Sequence, residues 1–190
     1  MRVLVVDNGS LSVGALTGRL ARLGAESDVV GCGEVPRRLV SGHGALVLSG
    51  TKVPADRGTH ARGAYGPLVD LVESCRVPVL GVCGGMHIMG LARGGSLVRR
   101  EQRVGGHEVT VDTGDPLFAY VGDTVRLFQR HTRYLSGLSD GLAVTGWSPQ
   151  CPVEFFRSAD GRLVGAQAHL EFRTDGELIL RRFLELAAAF

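Results

Sequence analysis

No apolar run in the 190-residue sequence is long enough to cross a bilayer; the longest, such as Val3 to Val6, span only a few residues. The Met1-Arg2 start leads straight into that run with no cleavage site behind it, so the expectation is a cytoplasmic chain with no membrane partner. Cysteine is sparse and dispersed. Cys32, Cys75, Cys83 and Cys151 form no C-x-x-C pair, which argues against a zinc site or a disulfide scaffold, and neither metal nor cofactor is expected. Lysine is almost missing, Lys52 being the only one among 21 basic residues. With a formal net charge of +2 and no basic stripe, nucleic acid is not an expected partner either. Internal repeats, low-complexity tracts and interdomain linkers are absent.

Apolar residues make up 44% of the chain, charged residues 21%, and glycine 28 positions, which excludes a disordered tail, a collagen-like repeat or a coiled coil. A chain of this length buries roughly 70% of its unfolded surface, enough for one domain over residues 1–190 without a staple. Arg2 to Val6 reads as a strand, followed by the turn Asp7-Asn8-Gly9-Ser10. A helix follows, with Val13, Leu16, Leu20 and Leu23 on one face and Gly24 as its stop. Glu26 to Val30, Ala45 to Leu48 and Pro78 to Val82 read as further strands. A Gly-, Pro- and Arg-rich loop runs to about Gly63, and a helix then starts at Gly66-Pro67 with Leu68, Leu71, Val72 and Cys75 on one face. This alternation predicts a parallel sheet covered on both faces.

The second half reads differently. Glu108 to Val111, Thr124 to Phe128, Leu142 to Trp147, Val153 to Arg157 and Leu163 to Gln167 are strand-like, with turns at Asp140-Gly141 and Asp160-Gly161. They predict antiparallel strands added to the same α/β sheet. A closing helix is expected with Thr174 and Glu177 as a capping box and Ile179, Phe183 and Leu186 buried.

The strongest chemical signal is Gly81-Val82-Cys83-Gly84-Gly85, where a buried strand gives way to the helical stretch Met86-His87-Ile88-Met89. It has the G-x-nucleophile-x-G form of a nucleophile elbow, with cysteine as the nucleophile and glycines clearing space around a strained turn. The helix that follows aims free N–H groups and its positive dipole end at the sulfur, which favours the thiolate. A thiolate attacking a carbonyl needs a base that later serves as acid, and a group to orient that base. His169-Leu170-Glu171, between a strand and the last helix, supplies both. H-x-E also opens the zinc-deaminase signature, but the P-C-x-x-C that completes it is missing.

Other patterns carry less. Gly31-Cys32-Gly33 begins like a dinucleotide loop but lacks the third glycine and reads as a turn. Cys32, Cys75 and Cys151 read as core residues, and His43, His60 and His107 as solvated loop residues without metal-ligand spacing.

These motifs resemble those of class I glutamine amidotransferases, whose signature is G-x-C-x-G-x-Q with H-P-E near the end, and the resemblance covers nearly the whole chain. Asp7-Asn8-Gly9-Ser10, Leu48-Ser49-Gly50-Thr51 and Cys151-Pro152-Val153-Glu154 are similar to segments of the GMP synthetase glutaminase branch. The Cys83-Gly84-Gly85-Met86 form of the elbow is more similar to the cobyric acid synthase and lipid II amidotransferase branches, so the subfamily stays open. The resemblance implies a flavodoxin-like fold and a cysteine thioester mechanism on L-glutamine, with Cys83 as nucleophile, His169 as acid and base, and Glu171 orienting it. Oxyanion donors are implied at Gly84 and in the Gly50-Thr51 turn, and substrate contacts at Arg130-His131-Thr132. Ammonia would pass to a separate synthetase subunit, since no ATP-binding or acceptor half fits in the chain.

Three positions depart from the family pattern. His87 stands where the family has the substrate-positioning Gln, Thr51 replaces a glycine in the oxyanion turn, and Leu170 replaces the Pro of H-P-E. Two other functions therefore remain open: a stand-alone cysteine hydrolase of a γ-glutamyl or related small amide, and a non-catalytic binding or regulatory module.

Overall fold

The computed structural model describes residues 1–36, 42–52, 61–139, 141–172 and 174–190, with the side chains of 61–64 left aside. Its frame is a nine-stranded sheet in the order β2-β1-β3-β4-β9-β8-β7-β5-β6. The first five in that order are parallel: β2 (Glu26–Gly31), β1 (Arg2–Asp7), β3 (Ala45–Leu48), β4 (Val79–Val82) and β9 (Leu163–Ala166). Antiparallel strands continue the sheet through β8 (Phe155–Ser158), β7 (Leu142–Trp147), β5 (Ser96–Val111) and β6 (Thr124–Gly137).

Helices cover both faces, as continuous apolar strands require. Val3, Val5, Val47, Leu80 and Val82 point to one face. There they meet Leu16 and Leu20 of α1 (Val13–Arg22) and Ile179, Leu180 and Phe183 of α4 (Gly176–Ala188). Leu4, Val6, Leu46 and Leu48 point to the other, against Leu68, Leu71 and Val72 of α2 (Ala61–Ser74) and Met86, Ile88 and Met89 of α3 (Gly84–Ala92). No helix among the described residues is long and apolar enough to cross a membrane.

Several expectations need correction. The strand predicted over Leu163 to Gln167 as an antiparallel addition is β9, which runs parallel beside β4 in the middle of the sheet. Residues 61–63 are helical rather than loop; α2 breaks at Tyr65 (φ −125°, ψ 23°), so the regular turn does restart at Gly66-Pro67. Residues 53–60 of that loop, His60 among them, lie outside the described residues, as does Asp140. The capping box at α4 does not form: Asp175 is the N-cap residue, and the Glu177 carboxylate pairs with Arg19 instead. Leu186 is only partly buried. Cys32 is half-buried rather than core. His43 is not solvated, since its Nε2 lies 2.7 Å from Asp28 Oδ2, and His107 sits in β5 rather than a loop.

The largest difference is the β5–β6 ribbon, which runs many residues beyond the predicted strands. The β5 portion Ser96–Gln102 is mostly charged or exposed, with only Leu97 packed against the core, so no alternation marks it. In β6 the alternation does continue: after Val125 and Leu127, the inward positions are Gln129 and His131. Polar residues facing inward hide a strand from a hydrophobicity pattern. They also mark where the ribbon passes the end of the parallel strands.

Candidate active site

The parallel strands β1, β3, β4 and β9 end on the same side of the sheet, and the segments that follow them build the site. Cys83 directly follows β4 with φ +48° and ψ −104°, the one non-glycine positive φ among the described residues. Such a conformation stores about 1–3 kcal/mol and persists only where neighbours enforce it. Here Cys83 N–H donates to the Ala166 carbonyl (2.7 Å), and the Cys83 carbonyl accepts from His87 N–H (3.1 Å). Close packing does the rest. A Cβ on Gly81 would stand 2.7 Å from the Gly85 carbonyl carbon, and one on Gly85 2.5 Å from the Leu48 carbonyl oxygen. One on Gly84 would stand 2.6 Å from the Thr51 nitrogen. The elbow is thus pressed against the turn after β3, and glycine is required at each contact.

That turn carries Gly50 and Thr51. A Cβ at Gly50 would lie 3.3 Å from His169 Cε1 and 3.8 Å from Cys83 Cβ, so Gly50 borders both side chains. Asn8 fixes the turn from β1: its N–H donates to Ser49 Oγ and its Nδ2 to the Ser49 carbonyl, both at 2.9 Å. Thr51 has a further polar contact of its own.

His169 follows β9. Its N–H donates to the Phe128 carbonyl (2.9 Å), and its ring lies edge-on to Phe128 and Phe172. Nδ1 lies 2.8 Å from Glu171 Oε1, and both residues are buried. Burial works against charge on the imidazole. Hydrogen bonds to Cys83 and Glu171, with the attraction of both, outweigh it and raise the His169 pKa to about 10. Cys83, His169 and Glu171 are therefore brought together in one buried cluster.

His87 is placed differently from the expectation of a substrate contact. Its ring is buried, and Nε2 lies 2.8 Å from Gln167 Oε1, while Gln167 Nε2 lies 3.9 Å from Cys83 Sγ. The His87 ring therefore orients Gln167, and it is the glutamine amide that borders the sulfur.

Arg130, His131 and Thr132 occupy one strand but not one surface. Arg130 is exposed, Thr132 half-buried and His131 buried. His131 Nδ1 faces the Arg133 carbonyl and Nε2 faces Gln129 Oε1, each at 3.0 Å. Two acceptors suit a doubly protonated ring. Burial, with repulsion from His87 and Arg103, opposes that charge and pulls the pKa down to about 3. Enclosed and beside the Arg103 guanidinium, the ring is neutral near pH 7.

Behind His131 the network continues through residues that sequence reasoning missed. Gln129 Nε2 donates to Glu154 Oε2 (2.9 Å), Ser148 Oγ donates to Glu154 Oε1 (2.7 Å), and Arg103 Nη1 pairs with the same Glu154 oxygen. Glu154 is fully buried. A charge inside the apolar run Val153–Phe156 was the available signal. Gln167, two residues before His169, carried none beyond its position. Ser12, whose Oγ lies 2.6 Å from Glu171 Oε1, is 159 residues from its partner and had no local signature. Among the described residues no group of three His, Cys, Asp or Glu side chains converges as a metal site requires.

A sheet covered by helices on both faces, with a cysteine elbow and a buried histidine–carboxylate pair at its strand ends, defines an α/β domain that carries its site where the central strands end. The sequence model of the family "Glutamine amidotransferase class-I" matches residues 4–186, and the chain belongs to that family. It is 32% identical over 191 residues to the GMP synthase (glutamine-hydrolyzing) of Thermus thermophilus, covering 98% of this chain and 37% of that protein. The Corynebacterium diphtheriae enzyme of the same name is 32% identical over 187 residues, covering 96% and 34%. The chain thus spans about a third of the length of these relatives. Among solved structures, a putative GMP synthase component from Thermoplasma acidophilum superposes with TM-score 0.87 at 24% identity, over 100% of this chain and 94% of that one. A glutamine amidotransferase from Thermotoga maritima gives 0.76 at 22% identity, over 100% and 83%. These likenesses establish the flavodoxin-like α/β fold.

Proposed function

We propose that the protein is a glutaminase subunit of the GMP synthase type, hydrolysing the side-chain amide of L-glutamine and passing ammonia to a separate synthetase subunit. The observation that carries this reading is the strained Cys83 elbow beside the His169–Glu171 pair, 2.8 Å apart. Cys83 Sγ attacks the carboxamide carbon, and backbone N–H groups of Gly84 and the Gly50-Thr51 turn receive the oxyanion. His169, protonated at neutral pH by its raised pKa, delivers a proton to the departing nitrogen, and ammonia leaves. It then takes a proton from water, whose oxygen attacks the γ-glutamyl thioester, releasing glutamate and the free thiol. Glu171 holds the imidazole throughout. The curated relatives, named for glutamine-hydrolysing GMP synthesis, support the substrate and the partner class; their remaining two thirds is the length this chain does not cover.

The test is intact-mass labelling with a diazoketone analogue of glutamine, together with glutamate release. One adduct in the wild type and none in Cys83→Ala is expected. Burial pushes the Cys75 and Cys151 thiols up, so they contribute little background. Labelling by a general alkylator without labelling by the glutamine analogue overturns the substrate assignment and favours the stand-alone amide hydrolase, a reading helped by His87 in place of the family Gln. A Cys83 inert to both reagents favours the binding module. For the partner, glutaminase activity wholly indifferent to an added GMP synthetase subunit counts against delivery.

A further inference from the structure

Glu171 Oε1 receives two donors. His169 Nδ1 lies 2.8 Å from it and Ser12 Oγ 2.6 Å. An ionised carboxylate has no proton to give, so the serine hydroxyl is the donor. That assignment fixes the next link. Ser12 Oγ lies 3.0 Å from Ser10 Oγ, and with its own proton committed to Glu171 it accepts there while Ser10 donates. Ser10 Oγ in turn accepts from the Ser12 N–H at 3.1 Å. The polarity therefore runs one way, from Ser10 through Ser12 to the carboxylate, where it meets the hydrogen bond from His169.

The location of Ser12 makes this arrangement unusual. It is the N-cap residue of α1, where a serine ordinarily spends its hydroxyl on an N–H of the first helical turn. No such side-chain cap bond is made. The hydroxyl is turned instead onto a carboxylate from the far end of the chain, in a position only 6% exposed. Oε2 of the same carboxylate is buried and has no hydrogen-bond partner among the described residues, so Oε1 carries the orientation of the group. Asp7 Oδ1 braces the loop by accepting from Gly9 N–H and Ser10 N–H, both at 2.9 Å, and Arg19 Nε donates to the Glu171 carbonyl at 3.4 Å.

We propose that Ser12 is a positioning residue for the Glu171–His169 pair, its hydroxyl holding the carboxylate so that Oε1 stays in line with Nδ1. The inference rests on the reading of Cys83, His169 and Glu171 as the working trio, and it specifies how the trio is held. The hydroxyl of Ser12 contacts Glu171 and Ser10, and it acts through Glu171.

The experiment measures two rates on the full chain: alkylation of Cys83 by iodoacetamide, followed by intact mass, and glutamine hydrolysis. The variants are Ser12→Ala, Ser12→Thr, Ser12→Val, Glu171→Ala and the Ser12→Val/Glu171→Ala double. Loss of the hydroxyl is expected to lower the alkylation rate and kcat by about tenfold with KM within about twofold, as loss of one charge-assisted hydrogen bond implies. Threonine keeps the hydroxyl and is expected to retain most of both rates. Valine, of the same shape, is expected to lose them. In the Glu171→Ala background, Ser12→Val is expected to add nothing. Should Ser12→Ala not fold, the Thr/Val pair decides alone. Equal rates for Thr and Val, or an undiminished Val effect without Glu171, overturn the proposal. If the wild type does not hydrolyse glutamine, the functional reading fails, while the alkylation cycle still decides the role of Ser12.

Discussion

Replacing Gly84 by alanine tests the contact on which the site geometry depends. The added Cβ would lie 2.3 Å from Thr51 Cγ2, 2.6 Å from the Thr51 nitrogen and 3.0 Å from Thr51 Cβ. Ordinary contacts of this kind settle near 3.5 Å, so the turn must withdraw by roughly 0.9 Å. An oxyanion donor works only over a range of about 0.4 Å around 2.9 Å, and displacing one costs on the order of 10²–10³ in kcat. Overpacking of this kind also destabilises by about 1–3 kcal/mol, or roughly 3 to 10 °C in Tm for a chain of this size. The assay is steady-state glutamine hydrolysis beside thermal melting and iodoacetamide reactivity. Gly84→Ala is expected to lose kcat by at least a hundredfold while remaining folded and alkylatable at Cys83. Adding Thr51→Gly removes the two side-chain clashes but leaves the backbone nitrogen at 2.6 Å, so it is expected not to restore activity. Wild-type kcat and Tm in Gly84→Ala, or full rescue by Thr51→Gly, would show that elbow and turn do not press on each other as described.

Three further outcomes follow from buried polar groups. His131 has a folded pKa near 3 against about 6.5 unfolded, so its contribution to stability is whole above 6.5 and is lost as pH falls toward 3. Urea titrations should show about 3 kcal/mol lost between pH 6.5 and pH 4 in the wild type and a flatter profile in His131→Gln; parallel profiles would contradict this. His169 has the opposite sign: with its pKa raised to about 10, its contribution is whole below about 6.5 and fades as pH rises to 10. The difference in stability between wild type and His169→Asn should shrink over that window, and a difference independent of pH would refute it. Arg103→Met leaves Glu154 buried and without its cation, and is expected to destabilise by about 3–5 kcal/mol in equilibrium unfolding; a change below about 1 kcal/mol would refute the ion pair as drawn.

Strands β1 to β4 were legible because they are short and end at turn signals, three of them as continuous apolar runs, whereas β9, expected among the antiparallel additions, pairs parallel with β4 in mid-sheet. The Cys83 elbow and the His169–Glu171 pair were legible because a crowded turn at a strand end leaves a local imprint, glycines about the sulfur, and because the imidazole and its carboxylate stand two residues apart. What could not be read is held by distance or by polarity. Gln129 and His131 keep the alternation of β6 but break its hydrophobicity, so the apolar pattern ends at Phe128 while the strand goes on. Glu154, just ahead of β8, meets Arg103 of β5 and Gln129 of β6 only once the antiparallel half of the sheet is assembled. His87 was singled out by its position after the elbow, while its partner Gln167 was passed over, since nothing in a single amide announces that it borders a sulfur. The expected capping box at Thr174 failed because a tertiary partner, Arg19, outcompeted the local one for Glu177.

The absence of room at Gly81, Gly84 and Gly85 bears on how such a pocket changes its preference. With Leu48 and Thr51 in direct contact with the elbow, the nucleophile and the turn facing it behave as a single casting, and neither can be reshaped without the other. Variation in what the site accepts must then be carried by side chains mounted around that casting, on α3 and on the inward face of β6. His87 on α3 and His131 on β6 are such side chains, and Gln167, which follows β9 and borders the Cys83 sulfur, ties the first of them back to the elbow.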